Sequence, residues 1–460
     1  MSTMTFAPDM PSFPQDFLWG VSTSAYQIEG ALDADGRGPS IWDRFCREPG
    51  HIARGDTAEQ ACDHYARHAE DVELLAGLGV GAYRFSIGWS RIQPQGHGAA
   101  HARGLDFYER LVDALLARGI RPVPTLYHWD LPQALQDEGG WLRRETCARF
   151  ADFAALMARR LGDRVTHWIT HNETFEHSTF GHALGTHAPG LTLGLDSFAV
   201  AHHLLLSHGL ATQALRAVLP PGAQVGIAQS MAPVRPASDS AADRAAAQLM
   251  QLLHQRLHTD TLLLGRYPQE LETLGLDLSA LRAGDLETLA QPLDFLGINY
   301  YNPNHIQATP AGSPVPLMEA EAPAGCERTE MGWPVMPQGL TELLLALRRT
   351  HGDRLPPLVI TENGMALADT VSADGRVDDP RRIRYLDAHL RALHAAMASG
   401  VDVRGYFVWS LLDNFEWAEG YRPRFGLVHV DYATQRRRPK SSYHWYRDLI
   451  RAQPAPKAPQ

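Results

Sequence analysis

The chain has 460 residues, of which 44% are hydrophobic and 20% are charged. This composition is typical of an ordinary globular protein with a large core. The formal net charge is −10 and the basic residues are scattered, which argues against a nucleic-acid backbone or an anionic membrane as the partner. We expect a neutral small-molecule ligand instead.

The first 15 residues carry no basic segment followed by an apolar one, and no apolar run approaches the roughly 18 residues of a membrane span. We therefore expect a cytoplasmic protein. Its four cysteines lie far apart without CxxC spacing, which predicts free and mostly buried thiols rather than disulfides or a zinc site. They are Cys46, Cys62, Cys147 and Cys326.

Apolar runs rich in β-branched and aromatic residues alternate with segments of helical period along the chain. The runs are residues 17–26, 81–89, 122–129, 166–172, 223–229, 293–301, 357–362 and 403–412. Helical segments include 105–118, 143–160, 241–264, 340–350, 380–398 and 441–451. This alternation predicts an α/β fold, a single (β/α)8 TIM barrel. An open doubly wound sheet with extra strands is the alternative.

No linker composition, charge block or repeat marks a second domain, so residues 1–460 are expected to form one catalytic domain. Its core should span about 17–446, with frayed ends. Residues 309–338 are rich in proline and glycine and are predicted to form a long loop. Loops of that length in a compact domain are usually functional.

Catalytic groups of such a barrel stand at the carboxyl ends of its strands, so the residues that end the apolar runs are the candidates. Carboxylates and amides among them suit sugar hydroxyls, and indole faces suit the apolar side of a sugar ring. The candidates are Gln27, Glu29, Arg84, His128, Asp130, Asn172, Glu173, Asn299, Tyr301, Glu362, Asn363, Trp409, Glu416 and Trp417.

Glu173 and Glu362 are the natural catalytic pair, because cleavage of a glycosidic bond needs one protonated carboxyl and one ionised carboxylate. At a separation of about 5 Å and an effective dielectric constant near 20, their repulsion is about 3 kcal/mol, enough to raise the pKa of one of them. If the other becomes an ester, that charge disappears and the first carboxyl can act as a base.

Seven motifs resemble those of glycoside hydrolase family 1 and occur in the same order as in that family. The resemblance covers essentially the whole chain from 17 to 446. The longest are FLWGVSTSAYQIEG at 17–30 and WSLLDNFEW at 409–417. The others are YRFSI at 83–87, YHWDLP at 127–132, NE at 172–173, NYY at 299–301 and ITENG at 360–364. The resemblance implies a retaining β-glycosidase of the β-glucosidase kind, with Glu173 as acid/base and Glu362 as nucleophile.

The resemblance also implies roles for the neighbouring residues. Arg84 and Tyr301 would hydrogen-bond the nucleophile, supported by Asn299, and Trp333 would form a platform for the aglycone. Trp409 would form the floor of the sugar site, and Tyr301 would also line it. The residues expected to hold the non-reducing sugar are Gln27, His128, Trp129, Asn172, Glu416 and Trp417.

Some of these residues have simpler structural interpretations. Trp129 and Trp417 would also suit the core, and Asn299 would also suit a strand-end hydrogen bond. The family's usual Asn-Glu-Pro is Asn-Glu-Thr here, so Thr174 is expected to allow a looser turn after the acid.

Histidines recur four residues apart at 64 and 68, 167 and 171, and 254 and 258. A metal site needs further ligands that the sequence does not supply, so we interpret these histidines as surface or core residues. No metal or cofactor is predicted.

The expected partners are small β-glucosides or cello-oligosaccharides, which would place the protein in cellulose and polysaccharide degradation. The sequence is compatible with a homo-oligomer as well as with a monomer. A non-catalytic sugar-binding barrel and a 6-phospho-β-glycosidase are the competing functions. The intact pair Glu173 and Glu362 argues against the first, and Glu416, where the phospho-sugar branch has a small residue, argues against the second.

Overall fold

A computed structural model describes residues 10–310, 312–313 and 315–454. At the carboxyl end, the last helix continues to Ala452, beyond the expected limit of the core near 446. Within the ends predicted to fray, residues 10–16 and 447–454 are described, and there the buried Phe13 donates its backbone N–H to Gln453 Oε1 at 2.9 Å; residues 1–9 and 455–460 lie outside the described residues. The extent of the catalytic domain therefore stays a prediction.

Eight parallel strands in the described part of the chain close into a barrel. They are β1 (Leu18–Ser22), β2 (Ala82–Ser86), β3 (Arg121–Tyr127), β4 (His167–Asn172), β5 (Gln224–Ser230), β6 (Phe295–Asn299), β7 (Leu358–Asn363) and β8 (Val403–Trp409). Each pairs with its neighbours in this order, and β8 pairs with β1 to close the ring. Every predicted apolar run overlaps one of these strands, so the (β/α)8 barrel is confirmed.

Side chains from all of these strands meet inside the barrel and fill it as a packed core rather than a pore. Phe295 and Phe407 are the bulkiest of these side chains. A Cβ on Gly20 would lie 2.4 Å from the Phe407 ring. A glycine on β1 therefore makes room for the aromatic ring on β8. The layer consists of Leu18, Ala82, Val123, Ile169, Ala228, Phe295, Val359 and Phe407.

Helices surround the barrel and cover its outer face. The long ones are His64–Leu78, Ala102–Ala117, Glu145–Leu161, Phe198–Arg216, Ala241–Gln251, Leu257–Leu264, Gln338–His351, Pro380–Ala398 and Ser441–Ala452. Shorter ones are Ala25–Ile28, Ile41–Arg47, Trp89–Ile92, Gln133–Asp137, Thr174–Ser178 and Asp285–Leu289. None of the helices in this described part is both long and apolar enough to cross a membrane.

Two sequence expectations need correction. The predicted helix 241–264 is interrupted by a π-helical turn at Leu252–Arg256. The predicted loop 309–338 contains the strand Leu317–Glu319, which pairs antiparallel with Asn304–Ala308. Asn304–Ala308 also pairs parallel with Val234–Pro236, so these three strands form a small sheet beside the barrel mouth. A three-residue strand is too short to show a period of its own.

A buried ionic network ties the segments that follow β7 and β8. The ammonium group of Lys440 lies 2.7 Å from Asp413 and also contacts Asp369. Asp369 pairs in addition with Arg382, and Asp413 with Arg424. Lys440 and Asp413 are fully buried, so these charges are stabilised by each other rather than by water.

We expect Lys440→Met to lower the free energy of unfolding by about 3 kcal/mol, because two buried carboxylates lose one of their cations. Their remaining arginine partners keep the loss at the lower end of the range for a broken buried pair. Urea denaturation followed by far-UV circular dichroism measures the change.

The matched control is Arg404→Met, which removes an arginine from an exposed pair with Asp402. Exposed pairs contribute less than about 1 kcal/mol, so this variant should unfold at nearly the same urea concentration as the parent. Equal destabilisation by the two substitutions would contradict the importance of the buried network.

Candidate active site

A cavity of about 700 Å³ opens at the carboxyl ends of the barrel strands. Many of the predicted site residues line it: His128, Trp129, Glu173, Asn299, Tyr301, Trp333, Glu362, Trp409, Glu416 and Trp417. Gln27, Arg84 and Asn172 lie behind its wall, fully or almost fully buried, and hydrogen-bond to residues that line it. The structure therefore brings most of the predicted set together at one end of the barrel. Glu29, Asp130 and Asn363 do not line the cavity: Glu29 accepts hydrogen bonds from Arg91 and Tyr108, and Asn363 donates to the Tyr300 carbonyl oxygen.

Glu362 is held by two donors from other strands and loops. The Arg84 guanidinium donates to Oε1 of Glu362 at 2.5 Å, and the Tyr301 hydroxyl donates to Oε2 at 2.7 Å. Arg84 is fully buried and Glu362 is 4% exposed. Both oxygens of the Glu362 carboxyl group are therefore paired with donors, which fixes its orientation.

Two asparagines connect the surroundings of Glu362 with those of Glu173. Asn299 Nδ2 donates to Glu173 Oε1 at 2.8 Å and to Asn172 Oδ1 at 3.0 Å. The same Asn172 oxygen accepts a hydrogen bond from Arg84 at 2.6 Å. Since Arg84 also binds Glu362, the two glutamates are joined by one continuous set of hydrogen bonds.

Glu173 has a different environment from Glu362. Burial and the negative charge of Glu362 raise the pKa of Glu173 well above its ordinary value, with a further contribution from Glu176. The hydrogen bond from Asn299 and the charge of Arg84 act in the opposite direction without cancelling the rise. The site thus combines Glu173, whose pKa is raised, with Glu362, which is paired with a buried guanidinium, and such a pairing suits acid/base and nucleophilic chemistry.

Glu416 forms the polar side of the cavity together with Gln27 and His128. Gln27 Nε2 donates to Asn414 Oδ1 at 3.1 Å and lies 3.4 Å from Glu416 Oε2. Burial and the charge of Glu362 raise the pKa of Glu416 to about 8. Glu416 is then largely protonated at neutral pH and can both donate and accept hydrogen bonds.

Tryptophans form the rest of the inner wall. Trp129 and Trp417 pack with ring centroids 4.8 Å apart, and His128 stacks against Trp409 at 6.0 Å. Trp333 packs on Tyr301 at 5.3 Å, so the long segment after β6 reaches the site. Trp129 and Trp417 therefore serve as packed aromatics and line the cavity at the same time.

Three non-glycine residues of the site have backbones in the left-handed region. The φ angles are +76° at Trp129, +49° at Glu173 and +49° at Trp417. Such angles are uncommon for bulky side chains and occur most often where function constrains the backbone.

Thr174 supports the turn after Glu173 by hydrogen bonding. Its hydroxyl donates to Gln229 Oε1 at 3.0 Å and lies 2.8 Å from His258 Nδ1. Thr174 is buried and begins the helix Thr174–Ser178. Hydrogen bonds here replace the rigidity that a proline ring would supply, so the expectation of a looser turn is not supported.

Several cavity residues were not predicted from the sequence, among them Glu176, Ser230, His254 and Glu319. Glu176 lies three residues after Glu173. This spacing is the feature of the sequence that could have identified Glu176 as a cavity residue. His254 belongs to a histidine pair that was interpreted as surface or core, and both members are buried. Among the described residues, no three His, Cys, Asp or Glu side chains are grouped so as to hold a metal ion.

A parallel (β/α)8 barrel whose mouth holds two glutamates, amide donors and tryptophans defines the class of carbohydrate-cleaving barrels. The match to the model of glycosyl hydrolase family 1 covers residues 10–454. The chain belongs to this family, as its motifs predicted. Family 1 enzymes are retaining O-glycosyl hydrolases.

Relatives agree over nearly the full length. "Beta-glucosidase A" of Acetivibrio thermocellus is 45% identical over 449 residues, covering 96% of this chain and 98% of the relative. "Thermostable beta-glucosidase B" of Thermobispora bispora is 49% identical over 449 residues, covering 96% and 91%. A solved family 1 β-glucosidase from Thermotoga maritima matches with a TM-score of 0.91 at 42% identity, covering 96% of this chain and 98% of that one.

The environment of Glu173 leads to a prediction about its titration. Glu362→Gln should lower the pKa of Glu173, because the negative charge that disfavours a second ionised carboxyl is removed. Carbon-13 NMR of protein labelled at the glutamate side-chain carboxyls would follow the titration, with the Glu173 signal assigned from Glu173→Gln.

Glu419→Gln is the matched control, since it neutralises another glutamate of the cavity wall that is not among the main causes of the raised pKa of Glu173. The Glu173 signal should titrate there as in the parent. The same midpoint in the parent and in Glu362→Gln would contradict the charge coupling.

Proposed function

We propose that the protein is a retaining β-glucosidase that hydrolyses the terminal non-reducing β-D-glucosyl residue of neutral β-glucosides, including cello-oligosaccharides. Glu173 is the acid/base and Glu362 the nucleophile. The observation that carries this assignment is the continuous hydrogen-bond set through Arg84, Asn172 and Asn299, which joins the two carboxyl groups at the mouth of the barrel. We expect a carboxyl separation of about 5 to 5.5 Å, as retaining enzymes need.

The first chemical step follows from the two environments. Glu362 attacks the anomeric carbon while Glu173 donates its proton to the departing glycosidic oxygen, giving a glycosyl ester and a free alcohol. Arg84 and Tyr301 orient the attacking carboxylate. The raised pKa of Glu173 supplies the proton near neutral pH.

In the second step Glu173 acts as a base and Glu362 is the leaving group. Once Glu362 is an ester, its charge no longer raises the pKa of Glu173, so Glu173, which gave up its proton in the first step, remains a carboxylate that can act as the base. It accepts a proton from water as the water oxygen attacks the anomeric carbon, and Glu362 leaves as a carboxylate. The two inversions give net retention.

The glycone end of the cavity favours a neutral sugar over a 6-phosphate. The described lining residues include no arginine or lysine. Arg422 is paired with Glu330 and Glu419, and Arg424 with Asp413. Because Glu416 is largely protonated, the argument rests less on its repulsion of a phosphate than on this lack of a free cation, since a buried phosphate without a cation is costly.

We further infer that the protein acts in the cytoplasm and takes part in the breakdown of cellulose-derived sugars. All four cysteines are free thiols, three of them buried, which suits a reducing compartment. The cavity combines carboxyl and amide groups with tryptophans, a mixture that suits cello-oligosaccharides as substrates.

The nucleophile can be tested by trapping. Incubation with a 2-deoxy-2-fluoro-β-glucoside that carries a good leaving group should add one fluorosugar mass to a peptide that contains Glu362, as measured by peptide mass spectrometry. Glu362→Gln should not be labelled. Labelling of another residue, or an inverted anomeric product by NMR, would be inconsistent with the proposal.

The acid/base can be tested with leaving groups of different basicity. Glu173→Ala should lower kcat/KM by about 10² to 10⁴ for alkyl glucosides, which need a proton, and much less for dinitrophenyl glucoside. Azide should restore turnover of the latter with a retained β-glucosyl azide product, because an anion needs no base. A uniform loss across all leaving groups would argue against this role.

A further inference from the structure

The outer part of the cavity has a mostly apolar wall. Beyond the two catalytic glutamates, helix and loop residues contribute hydrophobic side chains from several segments of the chain. They are Phe180, Leu184, Met231, Ala232, Met250, Ile306, Leu317 and Met318. Phe180 and Leu184 belong to the segment that follows Glu173, the residue that would protonate the leaving group, so we expect the leaving group of a glycoside to contact this wall.

Glu176 is one of the few carboxyl groups on this mostly apolar wall. It lies on the helix Thr174–Ser178, one turn after Glu173, and its side chain is 17% exposed. His254 Nε2 is 3.8 Å from Glu176 Oε1. Burial lowers the pKa of His254 to about 4, so this imidazole is neutral and does not act as a counter-ion.

Neighbouring polar groups form a chain of hydrogen bonds that ends on the carboxyl group of Glu176. Asn304 Nδ2 donates to His254 Nδ1 at 3.4 Å, which leaves the proton of His254 on Nε2. That nitrogen lies 3.3 Å from the Ser230 hydroxyl, and Ser230 in turn hydrogen-bonds Glu176. The chain uses only part of the acceptor capacity of a carboxyl group, which has two oxygens.

We propose that Glu176 is a specificity-determining residue that accepts hydrogen bonds from hydroxyl groups of the leaving group, so that the enzyme favours sugar aglycones over apolar ones. This inference rests on the proposed glucosidase function. The apolar wall would contact the C–H face of the second sugar, while Glu176 binds its hydroxyls. A buried acceptor that an apolar aglycone cannot satisfy discriminates strongly between the two.

Cellobiose and hexyl β-glucoside separate this role from an effect on Glu173. Both release an alcohol whose departure needs the proton of Glu173, but only cellobiose brings hydroxyls to the wall. We expect Glu176→Leu to lower kcat/KM for cellobiose by roughly 10- to 100-fold and for hexyl glucoside by less than about 3-fold. The ratio of the two constants on one preparation is independent of the folded fraction.

Two further variants sharpen the result. Glu176→Gln keeps an acceptor oxygen and should retain the preference for cellobiose to within about 5-fold of the parent. Glu73→Leu alters an exposed glutamate on the helix His64–Leu78, away from the cavity lining, and should leave the ratio unchanged.

A parallel fall for both substrates in Glu176→Leu would overturn the inference, because it would show that Glu176 acts through Glu173. Unchanged kcat/KM values for both substrates would overturn it as well. Failure of the proposed function is a separate outcome, in which the unmodified enzyme cleaves neither glucoside.

Discussion

The buried guanidinium of Arg84 is the interaction on which the site depends. It donates to Glu362, to Asn172 and to the Thr125 hydroxyl, and thereby joins residues of β2, β3, β4 and β7. A fully buried cation is tolerated only with an opposite charge and satisfied donors. The barrel can close around Arg84 because Glu362 balances its charge, and Glu362 is held in place for the same reason.

From this arrangement follows the difference between the two glutamates. Glu362 receives both the cation and the hydroxyl of Tyr301, whereas Glu173 receives only an amide donor from Asn299. Burial then raises the pKa of Glu173, and the charge of Glu362 adds to the rise. Two chemically identical side chains thus acquire different environments, which is how one site can supply an acid and a nucleophile at one pH.

The cavity also divides into two regions of different polarity. Around Glu416 and Gln27, polar groups and tryptophans alternate, as hydroxyl-rich rings require. Further out, Met231 and Ile306 belong to an apolar wall that is interrupted by Glu176. The small three-stranded sheet beside the barrel supplies part of this wall, so the least regular segment of the chain shapes the outer region.

The sequence by itself determined the barrel, because alternating apolar strands and amphipathic helices are local patterns that repeat around the ring. It also determined which residues stand at the strand ends, Glu173 and Glu362 among them, since the end of a strand is visible in the chain. Only the tertiary structure decided the position of Glu176, the hydrogen bonds of Thr174 and the pairing of Leu317–Glu319. These depend on contacts between segments far apart in sequence, such as Thr174 with His258, and no local period records such contacts. The protonation states were likewise decided by burial and by neighbouring charges, which exist only after the chain has folded.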